Sequence, residues 1–252
     1  PDIVAVCPRH PDQHHEMILA SIESGARGIY CEKPFCRTPA EADAIAAACE
    51  RQHVKLAIGH RNRYHPTLLA VEQFVAEGGI GKLLEIRGRG KGDARGGGED
   101  LWVLGSHVLN LFDYLGKGVR SCSAIIRQNG RWATPADVRA GNEGLGPIVG
   151  NELHARFELA NGTMAYFDSQ ANDDTKNAAF GLQIIGSRGV IDFKLDESPL
   201  AHLAAGNPYQ VSEGRADWVP ISSVGPGKAE TDARLPAAVA SHEIAARDLI
   251  DS

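Results

Sequence analysis

No run of apolar residues in this chain approaches the roughly 20 that cross a bilayer, and no basic segment followed by an apolar stretch opens it. A basic surplus is also missing. Lys and Arg number 26 against 32 Asp and Glu, a net charge of -6, which argues against the cationic face that nucleic acid requires. Cysteine is scarce and unpatterned: Cys7, Cys31, Cys36, Cys49 and Cys122 are odd in number and form no CxxC pair. Neither a disulfide framework nor a zinc knuckle is indicated, and reduced thiols in a cytoplasmic protein are the expectation. His10, His14 and His15 cluster, as do His60 and His65, but no carboxylate or cysteine completes a ligand spacing, so no metal is expected. Internal repeats and low-complexity tracts are absent.

What is present suits a globular protein. Hydrophobic residues make up 43% and charged residues 23% of 252 positions, enough for two packed domains. Ile3 to Cys7 is a short branched run of the kind buried on both faces of a parallel sheet. A helix from His14 to Ser24 follows, stopped by Gly25. A second apolar run leads into Glu32-Lys33-Pro34. Thr38, Pro39 and Glu41 then supply a cap, a first-turn proline and a third-position carboxylate for a helix to about Gln52. Val54 to Gly59 is a third strand, completing the alternation of a doubly wound parallel sheet.

Beyond Pro66 the period changes. A helix from Pro66 to Glu77 precedes Leu83 to Arg89, which alternates as an antiparallel half-exposed strand does. Further strands are expected at Cys122 to Gln128, Asn151 to Leu159, Thr163 to Asp168, Gly181 to Gly186 and Val190 to Phe193. One helix, Ser106 to Leu115, lies among them. A loop-rich stretch from Asp196 to Asp232 gives way to a last helix from about Pro236. The division is therefore 1–66 and 67–252, an α/β unit and an α+β unit with a mixed, largely antiparallel open sheet.

Lys33 is the first residue to explain. A lysine at the carboxyl end of a buried parallel strand points into the crevice where open α/β sheets bind ligands, and Pro34 fixes the backbone beside it. His107, near the start of its helix, is a possible general base at neutral pH, though a satisfied core histidine is the commoner case. Gly96-Gly97-Gly98 reads as a flexible approach of backbone to ligand. Arg61, Arg63 and Tyr64 follow the third strand at its carboxyl end and suit ligand contacts. Arg87, Arg89 and Lys91 share one side of a strand, either a solvated face or an attraction for an anion.

Taken in order, Pro1 to Pro8, Cys31-Glu32-Lys33-Pro34, Arg63-Tyr64-His65-Pro66, Gly96-Gly97-Gly98 with Gly105-Ser106-His107, and Gly186-Ser187-Arg188-Gly189 resemble the Gfo/Idh/MocA oxidoreductase family. The resemblance implies a partial Rossmann domain that binds NAD or NADP, beginning near its fourth strand, with the GxGxxG turn outside these residues. It implies a second domain whose open sheet lines the substrate site and joins subunits into a homodimer or homotetramer. Members oxidise a secondary alcohol of a sugar or cyclitol, or run the reverse reduction. On that resemblance Lys33 and His107 are the catalytic pair. Pro8, His10, Glu32, Lys33, Pro34 and Arg63 lie by the cofactor, and Arg61, Tyr64 and His107 by the substrate.

One position departs from the family pattern. Four residues before the histidine, one turn away on the same face, many members carry aspartate, and here stands Val103. Asp100, the candidate catalytic carboxylate, or Glu99 could approach the same space from the glycine-rich loop, and Asn110 lies one turn after His107. Val103 also keeps open a cofactor-binding or sugar-sensing homologue without turnover. A third possibility is a relative that holds NAD tightly and cleaves glycosides with no net redox change.

Overall fold

The computed structural model describes residues 1–175, 177–195, 197–210 and 217–252. Strands β1 (Ile3–Val6), β2 (Gly28–Cys31) and β3 (Lys55–Ile58) form a parallel sheet in the order β1-β2-β3, with Val6 opposite Cys31 and Cys31 opposite Ile58. Helix α1 (His14–Glu23) joins the first two strands and α2 (Pro39–Gln52) the second two. The expected cap is in place. Thr38 accepts from the Glu41 N–H at 3.1 Å, and Pro39 opens the helix where no backbone donor is needed. Ile18, Ile22, Ile29 and Ile45 form the core between helices and sheet.

Helix α3 (Pro66–Ala76) leads to β4 (Leu83–Arg89). Next come α4 (Gly98–Val103), α5 (Gly105–Gly116), β5 (Val119–Gln128), β6 (Arg131–Trp132), β7 (Arg139–Ala140), β8 (Pro147–Ile148), β9 (Glu152–Leu159) and β10 (Met164–Gln170). The chain continues through β11 (Gly181–Gly186), β12 (Gly189–Lys194), β13 (Ala201–Ala205), β14 (Trp218–Ser222) and β15 (Gly225–Pro226), then α6 (Leu235–Ala240) and α7 (Glu243–Asp251). Ten strands make one sheet in the order β15-β14-β13-β12-β11-β4-β10-β9-β5-β6.

β4 differs from its expected antiparallel setting: it pairs parallel with β10 and antiparallel with β11. Alternation reports one exposed face and is blind to the direction of the neighbour. The stretch read as loop from Asp196 to Asp232 contains β13, β14 and β15, whose prolines sit near the edge of the sheet. Within it, Asp196 and 211–216 lie outside the described residues.

Helix α5 seats on the inner face of the sheet through Val108, Leu111 and Phe112, all buried. Gly88 permits this contact, since a Cβ there would stand 2.4 Å from Val108 Cγ1. The outer face carries a charged ladder. Arg87 pairs with Glu85 at 2.8 Å, Arg89 with Asp173 at 2.9 Å, and His154 sits between Asp168 and Glu152. The two arginines thus pair with carboxylates on that surface.

The chain's end returns to the first sheet. Helix α7 packs on β2 and β3, Leu249 lies against Gly28, and His242 Nδ1 meets the Tyr30 hydroxyl at 2.7 Å. A division at residue 66 does not anticipate this, because a final amphipathic helix carries no mark of which sheet it covers. Among the described residues no helix is long and apolar enough to cross a membrane.

Candidate active site

Lys33 stands just past the carboxyl end of β2, with a cis bond to Pro34. Its own N–H donates to Glu32 Oε2 at 2.9 Å, and its ammonium donates to the Val103 carbonyl at 2.8 Å. Val103 is the last residue of α4. Carbonyls in a helix's last turn lack an intrahelical donor and carry the negative end of its dipole, so a cation there is favoured. The lysine is therefore held across the junction of the two sheets.

His107 lies in the first turn of α5, its N–H donating to the Leu104 carbonyl at 3.0 Å. Its ring meets His60 edge to face at a centroid distance of 5.5 Å. Burial, followed by the charges of His60, Lys33, Arg61 and His242, holds its imidazole well below the ordinary histidine range. Burial, then Lys33 and Arg63, hold His60 at about 4. Both rings are neutral at neutral pH. His107 Nδ1 is buried without a hydrogen-bond partner among the described residues. A neutral, unengaged ring nitrogen is what a general base needs.

Asp100 is not where the relocated charge was expected. Fully buried in α4, it accepts from the Ser169 hydroxyl at 2.6 Å and from the Lys91 backbone N–H, with no bond to His107. The Ser169 oxygen in turn accepts from the Gly97 N–H at 2.9 Å. Asp100 secures the approach to α4, and burial, the largest influence on it, raises its carboxyl. The glycine run is likewise packed instead of open to ligand. A Cβ on Gly96 would stand 2.0 Å from the Ala171 nitrogen, and one on Gly98 would stand 2.3 Å from the Val149 carbonyl oxygen.

The remaining expected residues separate. Arg61 lies near enough to lower His107's proton affinity. Arg63 stacks on Tyr114, 4.9 Å from the ring centre, a cation and aromatic contact. Tyr64 lies against α7, where burial and then Asp248 raise its phenol. Pro8 presents its carbonyl to the His14 ring at 2.9 Å, and His10 is exposed before a short 3-10 turn.

Sequence reasoning missed His14 and Ser169. His14 is fully buried, with Nε2 2.9 Å from the Pro8 carbonyl and Nδ1 2.9 Å from that of Pro34. It ties together the loops that follow β1 and β2. Its helical periodicity carried the signal, since a histidine on the inward face of α1 needs polar partners.

Residues 1–60 match the GFO_IDH_MocA family, described as an oxidoreductase family with an NAD-binding Rossmann fold. Over these residues the chain is similar to the Gfo/Idh/MocA family. Levoglucosan dehydrogenase of Pseudarthrobacter phenanthrenivorans is 25% identical over 92% of this chain and 68% of its own length. D-apiose dehydrogenase of Paraburkholderia graminis is 35% identical over 32% of this chain and 21% of its own. The solved levoglucosan dehydrogenase complex with NADH and levoglucosan superposes with a TM-score of 0.69 at 21% identity, covering 98% of this chain and 69% of that one. An NAD-binding oxidoreductase from Klebsiella pneumoniae superposes at 0.67 with 18% identity, over 99% of this chain and 70% of that one. The fold shared with these solved structures therefore extends through both sheets, well past the matched 60 residues.

Proposed function

We propose that this chain acts as a nicotinamide-dependent dehydrogenase on a secondary alcohol of a sugar or cyclitol. The observation that carries the reading is the convergence of a held lysine ammonium on a buried, neutral His107 whose Nδ1 has no partner among the described residues. Dehydrogenase relatives, levoglucosan dehydrogenase first among them, support it.

In this reading Lys33 polarises the substrate oxygen. His107 takes the hydroxyl proton as the C–H bond gives up its electron pair, leaving a carbonyl. Bound nicotinamide supplies the hydride acceptor. The loops carrying Pro8, His10, Glu32, Lys33 and Pro34 stand at the carboxyl edge of β1 and β2, where a dinucleotide lies in such folds. His14, bridging two of them, fits a cradle that must keep its shape. The outer face of the ten-stranded sheet is the surface for a second copy of the chain.

The test uses the full-length protein with NAD or NADP and a panel of anhydrosugars, pentoses and inositols, following reduced cofactor. Lys33→Ala and His107→Ala should each lower turnover by roughly 10²-fold or more. Unchanged rates at saturating substrate would remove either residue from its role. Sugar release from a glycoside without accumulation of reduced cofactor would favour the redox-neutral hydrolase instead.

A further inference from the structure

Beside the Lys33 and His107 pair lies an open cleft of about 540 Å³, within the size range of sites for organic ligands. It begins one residue from each member of the pair, at Pro34 and Ser106. One wall is the inner face of β5 and β9 beyond the reach of α5, where Cys122 and Ala124 remain exposed on a face that elsewhere is core. Phe35, Trp102, Leu109 and Phe157 are among the other apolar residues that line it. None of the described residues lining it is Asp, Glu, Lys or Arg. That composition rejects the phosphates of a nucleotide sugar, which need cations or clustered backbone donors.

The cleft is not uniformly apolar. His60, Ser106 and Asn110 line it, and each has a buried side-chain polar atom without a partner among the described residues: Nε2, Oγ and Oδ1. Unsatisfied buried polar groups are rare in folded proteins and concentrate where a ligand or water completes them. The ring of His60 also packs against His107, so this polar group borders the catalytic histidine and the apolar surface together.

We propose that this cleft receives an apolar aryl or alkyl substituent carried by the sugar, so that the substrate is a glycoside with a hydrophobic aglycone. The inference rests on the dehydrogenase reading and narrows its substrate class. The sugar ring lies at Lys33 and His107, its hydroxyls reach His60, Ser106 and Asn110, and the aglycone extends over Trp102 toward β5.

Calorimetric titration of the full-length protein with methyl and hexyl β-D-glucopyranoside tests this, with reduced cofactor measured separately. Each methylene taken fully from water strengthens binding about fourfold, so hexyl should bind at least about tenfold more tightly than methyl. Ala124→Trp fills the cleft from an exposed strand position and should collapse that difference. Cys122→Trp does the same from the neighbouring position on that face, should the first variant fail to fold. Equal affinity for the two glycosides, or binding of neither, overturns the proposal. Discrimination without hydride transfer from any sugar keeps the cleft and sinks the dehydrogenase reading. Hydride transfer from small sugars without discrimination does the reverse.

Discussion

Ser169→Ala removes one hydroxyl and two hydrogen bonds. The hydroxyl donates to the buried Asp100 carboxylate at 2.6 Å and accepts from the Gly97 N–H at 2.9 Å. A hydrogen bond to a charged group contributes about 1.5–3 kcal/mol, and a buried donor left unpaired costs about 1–3 kcal/mol, so the loss should be roughly 2.5–6 kcal/mol. At roughly 2–4 °C per kcal/mol for a chain of this size, Tm falls by about 5–24 °C. The pH dependence has a definite sign. Burial raises the Asp100 carboxyl above its usual range, so the folded state favours its protonated form. Stability from that form is full below the unfolded value and is lost as pH rises through the raised folded one. The Ser169 donor opposes the rise; without it the carboxyl moves higher still. The penalty of Ser169→Ala is therefore smaller in acid, where the unpaired Gly97 N–H is the larger part of it, and full at neutral pH. Urea unfolding of both proteins at mildly acidic and neutral pH measures it. A loss below about 0.5 kcal/mol, or one equal at both pH values, would refute the assignment of Asp100 as a buried carboxylate secured by Ser169.

The neutral state of His107 predicts a flat kcat/KM between about pH 8 and 6, since an unperturbed histidine would titrate near 6.5 there; an acid limb with that midpoint on His107 would contradict the burial argument. His60 and His107 both have lowered folded values. Their neutral forms therefore contribute stability that is present above about 6.5 and lost as pH falls toward 4, which acid unfolding of His60→Phe should blunt. His14→Ala should cost at least about 1–3 kcal/mol from its unpaired carbonyl contacts and raise the KM for cofactor more than it lowers kcat. Partial recovery of that KM in His14→Gln distinguishes bridging from mere packing. Thr38→Ala should cost about 1 kcal/mol with no effect on KM, a control for stability loss remote from the site.

The first unit was legible because each of its signals is local. Branched runs mark β1 to β3, and Thr38, Pro39 and Glu41 mark the start of α2 within one turn. Lys33 was legible for the same reason, as a strand end followed by proline. Helix α4 was not, because Gly96 to Gly98 read as freedom when those residues are fixed by close contact with Ala171 and Val149, a fact of tertiary distance. The partners of Arg63 and Asp100 are Tyr114 and Ser169, 51 and 69 positions away, and no periodicity reports on a partner that remote. The parallel pairing of β4 with β10 is hidden likewise, since a strand's pattern gives its faces and leaves its neighbours open.

Val103 shows how a missing side chain misleads when function is read from residue types. The family pattern suggests a carboxylate near the lysine, and a valine there suggests impairment. In the fold the valine side chain is 4% exposed and part of the core, while its carbonyl accepts from Lys33 at 2.8 Å. The backbone does what any residue at that position can do, and the side chain is free to pack. An aspartate there would place its carboxylate among Val108, Leu111 and their neighbours, at the cost of burying a charge. Lys33 keeps a fixed acceptor without it. What the chain forgoes is a second proton acceptor beside His107, and the lowered proton affinity of that ring means a proton taken from substrate is held weakly. In the proposed mechanism that proton passes on to water, and the open cleft adjacent to the histidine provides the route.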